Sequence, residues 1–252
     1  MDKLTHKDFY RSRQKIEKIN RQIEDLLAKR FILTNEIGKY KIQEGLPIED
    51  KGRENELMES LGSCLYSDYI REIEKKIFEQ SKLQQSRLKF PSVILYGMPG
   101  CGKSAFGREI AKELGVPFTD TDSAIMHAEN MSINEIFEKK GEQYFRNREN
   151  RIVRCLTRGY IISVGGGTLM NEKNREYLKS LGKMVYIRRD NEELKRVSRK
   201  NRPLVNSDED IEKLYRERVS VFEETADYVI ENNGSFDIIR NKIRSYIIKN
   251  MK

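Results

Sequence analysis

The chain has 252 residues, 37 % hydrophobic and 35 % charged, with a formal net charge of +8 and a mean hydropathy of −0.73. That composition supports one large core or two modest ones, and no apolar run nears the ~18 residues of a membrane span. The positive excess is spread over both halves with acids and bases interleaved, which argues against a nucleic-acid-binding stripe and for arginines placed to meet small anions.

Met1 to Tyr10 carries Asp2, Lys3, Lys7 and Asp8 with no apolar core, unlike a secretory signal. Cys64, Cys101 and Cys155 are scattered at no metal or disulfide spacing, so a reducing, cytoplasmic setting is expected. Up to about residue 88 the chain shows long helical periodicity and a single proline, Pro47; from Lys89-Phe90-Pro91 onward short apolar runs alternate with helical patterns. An all-α three-helix domain is expected at 1–88, followed by an α/β domain with a parallel sheet at 91–252.

In the first half, Ile16, Ile19, Ile23, Leu26, Arg30, Leu33, Ile37 and Tyr40 recur at spacings of 3 and 4, predicting one helix from about Lys7 to Ile42. At ~1.5 Å per residue it is roughly 50 Å long, far beyond the ~12–13 Å radius of gyration of a domain this size, so its seam calls for a partner chain in a homodimer. Gly45-Leu46-Pro47 ends it, Asp50 opens a second helix to about Leu61, and a third runs from about Ser67 to Arg87 after the Gly62-Ser63 break. Arg30 stands where the seam takes an aliphatic residue. Alone it reads as a register-setting or snorkelling arginine. In company it reads as a ligand group: Lys41 lies within ~20° of the same face, Asp50, Arg53 and Glu54 share a face of the second helix, and Ser81 and Gln85 share one of the third. Arg13 and Arg30 differ by ~100° in direction and ~25 Å along the axis, so they cannot serve one site from one helix.

The stretches Arg13-x-x-Ile16, Ala28-Lys29-Arg30, Gly38-Lys39-Tyr40-Lys41, Pro47-Ile48-Glu49-Asp50-x-x-Arg53-Glu54 and Ser81-x-x-x-Gln85 resemble the all-helical chorismate mutases over essentially all of 1–88. The resemblance implies that Arg13, from the neighbouring chain, and Arg30 grip the two carboxylates of chorismate. It implies that Lys41 and Gln85 meet the ether oxygen and Glu54 the ring hydroxyl, with Ser81, Asp50 and Arg53 in support. A Claisen rearrangement needs no nucleophile or base, only a substrate held in a compact conformer and donors aimed at the oxygen where charge develops.

In the second half, Gly97-Met98-Pro99-Gly100-Cys101-Gly102-Lys103-Ser104 fits G-x-x-x-x-G-K-[ST], directly after the apolar run Val93–Tyr96 and before a helical pattern. That is the setting of a P-loop, in which backbone N–H groups cradle the phosphates of ATP, Lys103 reaches the β/γ-phosphates and the Ser104 hydroxyl meets Mg²⁺. Cys101 reads as a small filler, and Ala105 closes the nucleotide-binding stretch. Further on come Phe118-Thr119-Asp120-Thr121-Asp122 at a strand end, Phe145-Arg146-x-x-Glu149, a strand Tyr160–Val164 running into Gly165-Gly166-Gly167, and Arg202-Pro203-Leu204 in a polar stretch that reads as a lid. Arg218-x-x-x-Phe222-x-x-x-Ala226-Asp227 completes the series.

This ordered series resembles shikimate kinase over nearly all of 91–252. The resemblance implies that Asp120 organises Mg²⁺ and that Asp122 holds the ring hydroxyls and acts as base. It further implies that Arg146 and Arg218 clamp the shikimate carboxylate while Glu149 orients Arg146, and that Gly165, Gly166 and Gly167 approach the substrate closely. Arg202 would close on the transferring phosphate and Arg196 would pack on adenine.

Plainer readings stand beside these. Asp120 and Asp122 suit a helix cap, Arg146 and Glu149 an ordinary i, i+3 ion pair, Gly165–Gly167 a flexible turn, and Arg196 a solvated face. Competing functions are a gluconate-type kinase, the pyruvate-lyase branch of the helical fold, and an ATP-dependent small-molecule kinase whose N-terminal helices serve only dimerisation or ligand sensing. The expected function is a bifunctional enzyme of aromatic amino-acid biosynthesis that acts on chorismate and shikimate, with no nucleic-acid or membrane partner.

Overall fold

In the computed structural model, which describes residues 5–62, 64–196, 205 and 207–250, Thr5 opens helix α1 (His6–Gln43) through a reciprocal cap with Asp8. Gly45, in the left-handed region at φ 65°, turns the chain out of α1. The Asp50 carboxylate then accepts from Arg53 N at 3.0 Å and caps α2 (Lys51–Ser60), and α3 is Ser67–Arg87. The C-terminal part of α1 packs on α3 around Gly38: a Cβ there would sit 2.8 Å from Gln85 Cγ. The N-terminal part has no such cover, and Ile16, Ile19, Ile23 and Leu26 are 57, 52, 48 and 64 % exposed. These helices belong to one of the chain's two units, residues 1–88; residues 89–252 form the other.

The second unit is built on five parallel strands, β1 (Ser92–Tyr96), β2 (Phe118–Asp120), β3 (Ile161–Ser163), β4 (Gly182–Arg188) and β5 (Tyr228–Glu231), in the order β2-β3-β1-β4-β5. A central parallel strand is covered on both faces and reads as continuous apolar sequence. Val93, Ile94, Leu95 and Tyr96 are accordingly fully buried. The order reverses direction at β1, where β3 lies on one side and β4 on the other, so a crevice opens at the C-terminal edge of β1. The P-loop leaves β1 there and enters α4 (Lys103–Leu114). Register sets Ser163 beside both Leu95 and Asp120 at that edge.

A satellite core of Ile125, Ile136 and Phe145 holds α5 (Thr121–Glu129), α6 (Ile133–Lys140) and α7 (Glu142–Cys155) together beside the sheet. Helix α8 (Glu172–Leu181), the short α9 (Asn191–Arg196), α10 (Asp208–Thr225) and α11 (Phe236–Asn250) complete the fold. Two apolar runs differ from their strands in length. Tyr160–Val164 yields only Ile161–Ser163, because the chain turns at once into the glycine segment, whereas Met184–Ile187 lengthens to Gly182–Arg188 by pairing with Ser92–Tyr96 of β1. Among the described residues no helix is long and apolar enough to cross a membrane. The expected lid, Arg202-Pro203-Leu204, lies outside the described residues.

Gly182 enters β4 with extended backbone and pairs with Ser92, so any Cβ would overlap the Ser92 backbone. The atoms it would meet are Ser92 backbone, not a movable side-chain tip. Gly182→Ala is therefore expected to lower the stability of the second unit by about 3 kcal/mol, the cost of a forced backbone shift in a packed sheet. Urea unfolding followed by tyrosine fluorescence would measure it, and an unchanged midpoint would contradict the packing described.

Candidate active sites

The helical unit holds a cavity of about 200 Å³ between α1, α2 and α3. Seven of the eight residues expected in the first site line it: Arg30, Lys41, Asp50, Arg53, Glu54, Ser81 and Gln85. Arg30 Nη1 donates to Ser81 Oγ at 2.6 Å, and its guanidinium lies 5.6 Å from the centre of the Phe78 ring. Ser81 is held in turn by donating to Ile77 O at 2.7 Å. Lys41 Nζ donates to Ile48 O at 2.8 Å, which ties α1 to the segment before α2. Arg53 pairs outward with Glu56 at 2.9 Å on an exposed face. Gln85 is buried against Gly38, and its Oε1 has no partner among the described residues.

Arg13, the eighth, is not brought to this cavity. It lies on the exposed stretch of α1 with its guanidinium 5.1 Å from the Phe9 ring centre. The motifs also passed over Phe78, which covers Arg30, and Lys82, which donates to Glu54 Oε2 at 3.2 Å and Glu49 Oε1 at 3.4 Å. An apolar residue and a lysine at helical spacing carry no local signal of such roles.

In the second unit a cavity of about 240 Å³ lies at the C-terminal edge of the sheet. Lys103, Ser104, Asp122, Arg146, Glu149, Gly165–Gly167 and Arg218 line it together, although they span more than a hundred residues of sequence. The P-loop is held by its carbonyls: Lys103 Nζ donates to Gly97 O at 3.3 Å and Met98 O at 3.2 Å, Arg189 Nη1 to Gly100 O at 3.1 Å, and Asn232 Nδ2 to Cys101 O at 2.8 Å. Arg189 and Asn232 come from the ends of β4 and β5, and no motif marks them. Cys101 is fully buried, as a filler should be.

Ser104 Oγ donates to Asp120 Oδ2 at 2.6 Å and lies 3.2 Å from Ser163 Oγ. Asp120 also caps α5 by accepting from Ser123 N at 2.9 Å, as the helix-cap reading of this residue expects. Asp122 sits in the first turn of α5 and accepts no hydrogen bond among the described residues. Burial, and then the neighbouring Asp120 charge, push its carboxyl up to about 6 against an opposing pull from Lys103.

Arg146 is more than one half of a helical ion pair. Its Nη1 donates to Glu149 Oε2 at 3.0 Å, and Glu149 is almost wholly buried, with its other oxygen accepting from Thr168 Oγ1 at 2.7 Å. Nε and Nη2 of Arg146 reach Glu142. Each residue of Gly165–Gly167 backs a different charged group. An added Cβ at Gly165 would lie 2.7 Å from Asp122 Oδ1, at Gly166 3.2 Å from Arg218 Nη1, and at Gly167 2.6 Å from Arg146 Nη1. The triplet is thus a close-packed floor, which the flexible-turn reading does not explain. Arg218 is buried, and both that burial and the adjacent Arg146 hold its guanidinium below the usual range. Arg196 does not line the cavity; it is exposed and paired with Glu193 at 2.8 Å. Arg202 lies outside the described residues.

Ser104, Asp120 and Asp122 are hard oxygen donors, and among the described residues no group of three or more His, Cys, Asp or Glu could hold a metal ion. A cation here would therefore rely on phosphate oxygens and water for its other positions, the habit of Mg²⁺ rather than of Zn²⁺ or a fully caged Ca²⁺.

Comparison with known proteins gives two family matches. The shikimate kinase family matches residues 99–252, and the family described as chorismate mutase type II matches residues 12–86. The shikimate kinase of Ruegeria pomeroyi is 40 % identical over 154 residues, covering 58 % of this chain and 78 % of the relative. That of Histophilus somni is 36 % identical over 170 residues, covering 64 % and 97 %. Among solved structures, shikimate kinase from Acinetobacter baumannii in complex with shikimate is similar with a TM-score of 0.60 at 32 % identity, covering 67 % of this chain and 99 % of that one.

The raised carboxyl of Asp122 has a stability consequence whose sign is fixed. Its folded value of about 6 exceeds the ordinary 3.8, so the folded chain holds the proton more tightly and loses stability as pH rises from about 4 to 6. Above that range the cost is fully present. Asp122→Asn should therefore stabilise the second unit at pH 8, by about 2 kcal/mol, and leave it nearly unchanged at pH 4. Urea midpoints at the two pH values test this; equal midpoints for both proteins at pH 8 would refute it.

Proposed function

Residues 99–252 make this chain a member of the shikimate kinase family and residues 12–86 form a chorismate mutase type II domain, and from this we propose that the two cavities are where its two activities reside. The chain is a bifunctional enzyme: it rearranges chorismate and phosphorylates shikimate with ATP. The observation that carries the kinase assignment is the meeting of P-loop Lys103 and Ser104 with a half-buried acid, Asp122, and two arginines in one cavity.

In that cavity Arg146 and Arg218 take the shikimate carboxylate, whose charge relieves the repulsion between them. Glu149, clamped by Thr168, fixes the direction of Arg146. Asp122 accepts hydrogen bonds from the ring hydroxyls and takes the proton of the attacking one. A carboxylate ionised at neutral pH suffices, because phosphoryl transfer depends on positioning and charge stabilisation more than on a strong base. The P-loop amides, from Gly97, Gly100, Cys101, Gly102 and on to Ala105, receive the nucleotide phosphates, and Lys103 turns from its loop carbonyls to the β/γ-phosphates. Ser104 and Asp120 would hold Mg²⁺, which when bound neutralises charge on the phosphates. Arg202 and Arg196 are assigned to the transferring phosphate and the adenine by family resemblance alone.

In the helical cavity Arg30 takes one carboxylate of chorismate. Lys41 and Gln85 face the ether oxygen; the Lys41 ammonium has three donors and spends one on Ile48 O. Glu54 receives the ring hydroxyl, while Asp50, Arg53 and Ser81 hold the surrounding frame. The second carboxylate falls to the Arg13 of a second copy. The support for a homodimer is the exposed seam Ile16, Ile19, Ile23 and Leu26 on the N-terminal part of α1, which the described residues of its own unit leave uncovered.

Two outcomes test these assignments. Lys103→Ala should abolish shikimate-dependent ADP release while chorismate loss stays within about twofold, since sites in separate units with no shared residue behave additively. Retained phosphorylation would remove the P-loop assignment, and loss of both activities in a folded protein would show the sites to be coupled. Arg13→Ala and Lys41→Ala should each be nearly inactive as mutases, yet regain activity when co-refolded. Random mixing gives about half heterodimers, each with one intact site, so the ceiling is about a quarter of the unmutated rate. Absence of recovery after proven exchange would mean that each site is built within one chain.

A further inference from the structure

Lys82 belongs to no motif in the sequence, yet it lines the helical cavity one residue beyond Ser81. Its Nζ donates to Glu54 Oε2 at 3.2 Å and Glu49 Oε1 at 3.4 Å, and the lysine and Glu54 side chains are 30 and 26 % exposed. The hydrogen bond to Glu54 is the main cause of a raised lysine pKa. The other cations on the wall are engaged elsewhere: Arg30 with Ser81, Lys41 with Ile48 O, and Arg53 with Glu56. Glu54 thus has Lys82 as its counter-charge.

That pairing matters because of what the cavity is to receive. A carboxylate set in the wall of a site for a dianion repels its ligand unless the charge is offset, and a carboxylate free to rotate is a poor acceptor for one particular hydroxyl. Resting on the reading of this cavity as the mutase site, we propose that Lys82 is a positioning residue for chorismate: it offsets the Glu54 charge and pins Oε2, leaving Oε1 to accept from the ring hydroxyl. The pinned geometry also links α3 to α2, so the acceptor stays aligned with Ser81 and Gln85 on the opposite wall.

The test is steady-state mutase kinetics on the full chain, with thermal melts as a check of folding. Lys82→Met should raise KM for chorismate about fivefold and change kcat less than about twofold, the scale of one partly exposed ion pair. Lys82→Arg, which keeps the charge, should restore KM, and Lys82→Gln serves as a second neutral variant if the methionine disturbs the fold. In a Glu54→Gln background Lys82→Met should add nothing, because the charge it offsets is gone. The same rise in KM in both backgrounds would overturn the proposal in favour of direct contact with the substrate, and no rise in either would overturn it outright. A Glu54→Gln variant with unchanged kinetics would instead reject the placement of Glu54 on the ring hydroxyl, and this inference with it, so the two failures are separable.

Discussion

Both cavities are lined by guanidinium groups that the fold wholly or partly withdraws from water. Arg218 is buried beside Arg146, and its proton affinity is depressed by burial and by that like charge. Arg30 is held by a neutral serine hydroxyl and an aromatic face rather than by a carboxylate. Such placement is unfavourable for the empty protein and has to be sustained by packing elsewhere. In return, the desolvation and side-chain ordering that an anion would otherwise require at binding are already in place, which is the physical content of preorganisation.

Packing in the kinase unit takes a particular form around those charges. The Gly165–Gly167 segment leaves β3 where Ser163 neighbours Asp120, and the missing side chains let Asp122, Arg218 and Arg146 close onto backbone. Thr168, the next residue, then secures Glu149. A single turn of chain thereby organises the acid, both arginines and the residue that orients one of them. The satellite core of Ile125, Ile136 and Phe145 does the complementary task by fixing α5, which carries Asp122, relative to α7, which carries Arg146 and Glu149.

The mutase unit solves a different problem with a different economy. A rearrangement requires no acid, base or covalent step, so three helices and a ring of donors are sufficient machinery. Its polar residues are held by short links, Lys41 on α1 to Ile48 O in the segment before α2, Arg30 to Ser81 between α1 and α3, and Lys82 to Glu54 between α3 and α2. The two cavities share no lining residue, so joining them in one chain does not by itself couple their chemistry.

What could be read without a structure was whatever the chemistry requires locally. Phosphates are bound by consecutive backbone N–H groups, so Gly97–Ser104 announces the nucleotide site within eight residues. Helical spacing placed Arg30 and Lys41 on one face, and the caps Asp50 and Asp120 stood where helices begin. The strand runs gave the parallel sheet because buried strands are continuously apolar. Tertiary structure alone decided the rest, since it concerns partners distant in sequence or a property of the surroundings. Glu54 with Lys82, Gly100 with Arg189, Cys101 with Asn232 and Glu149 with Thr168 meet only once helices and strands have packed. The proton affinity of Asp122 is likewise invisible in sequence, because it is set by burial and by charges brought to it from four other positions.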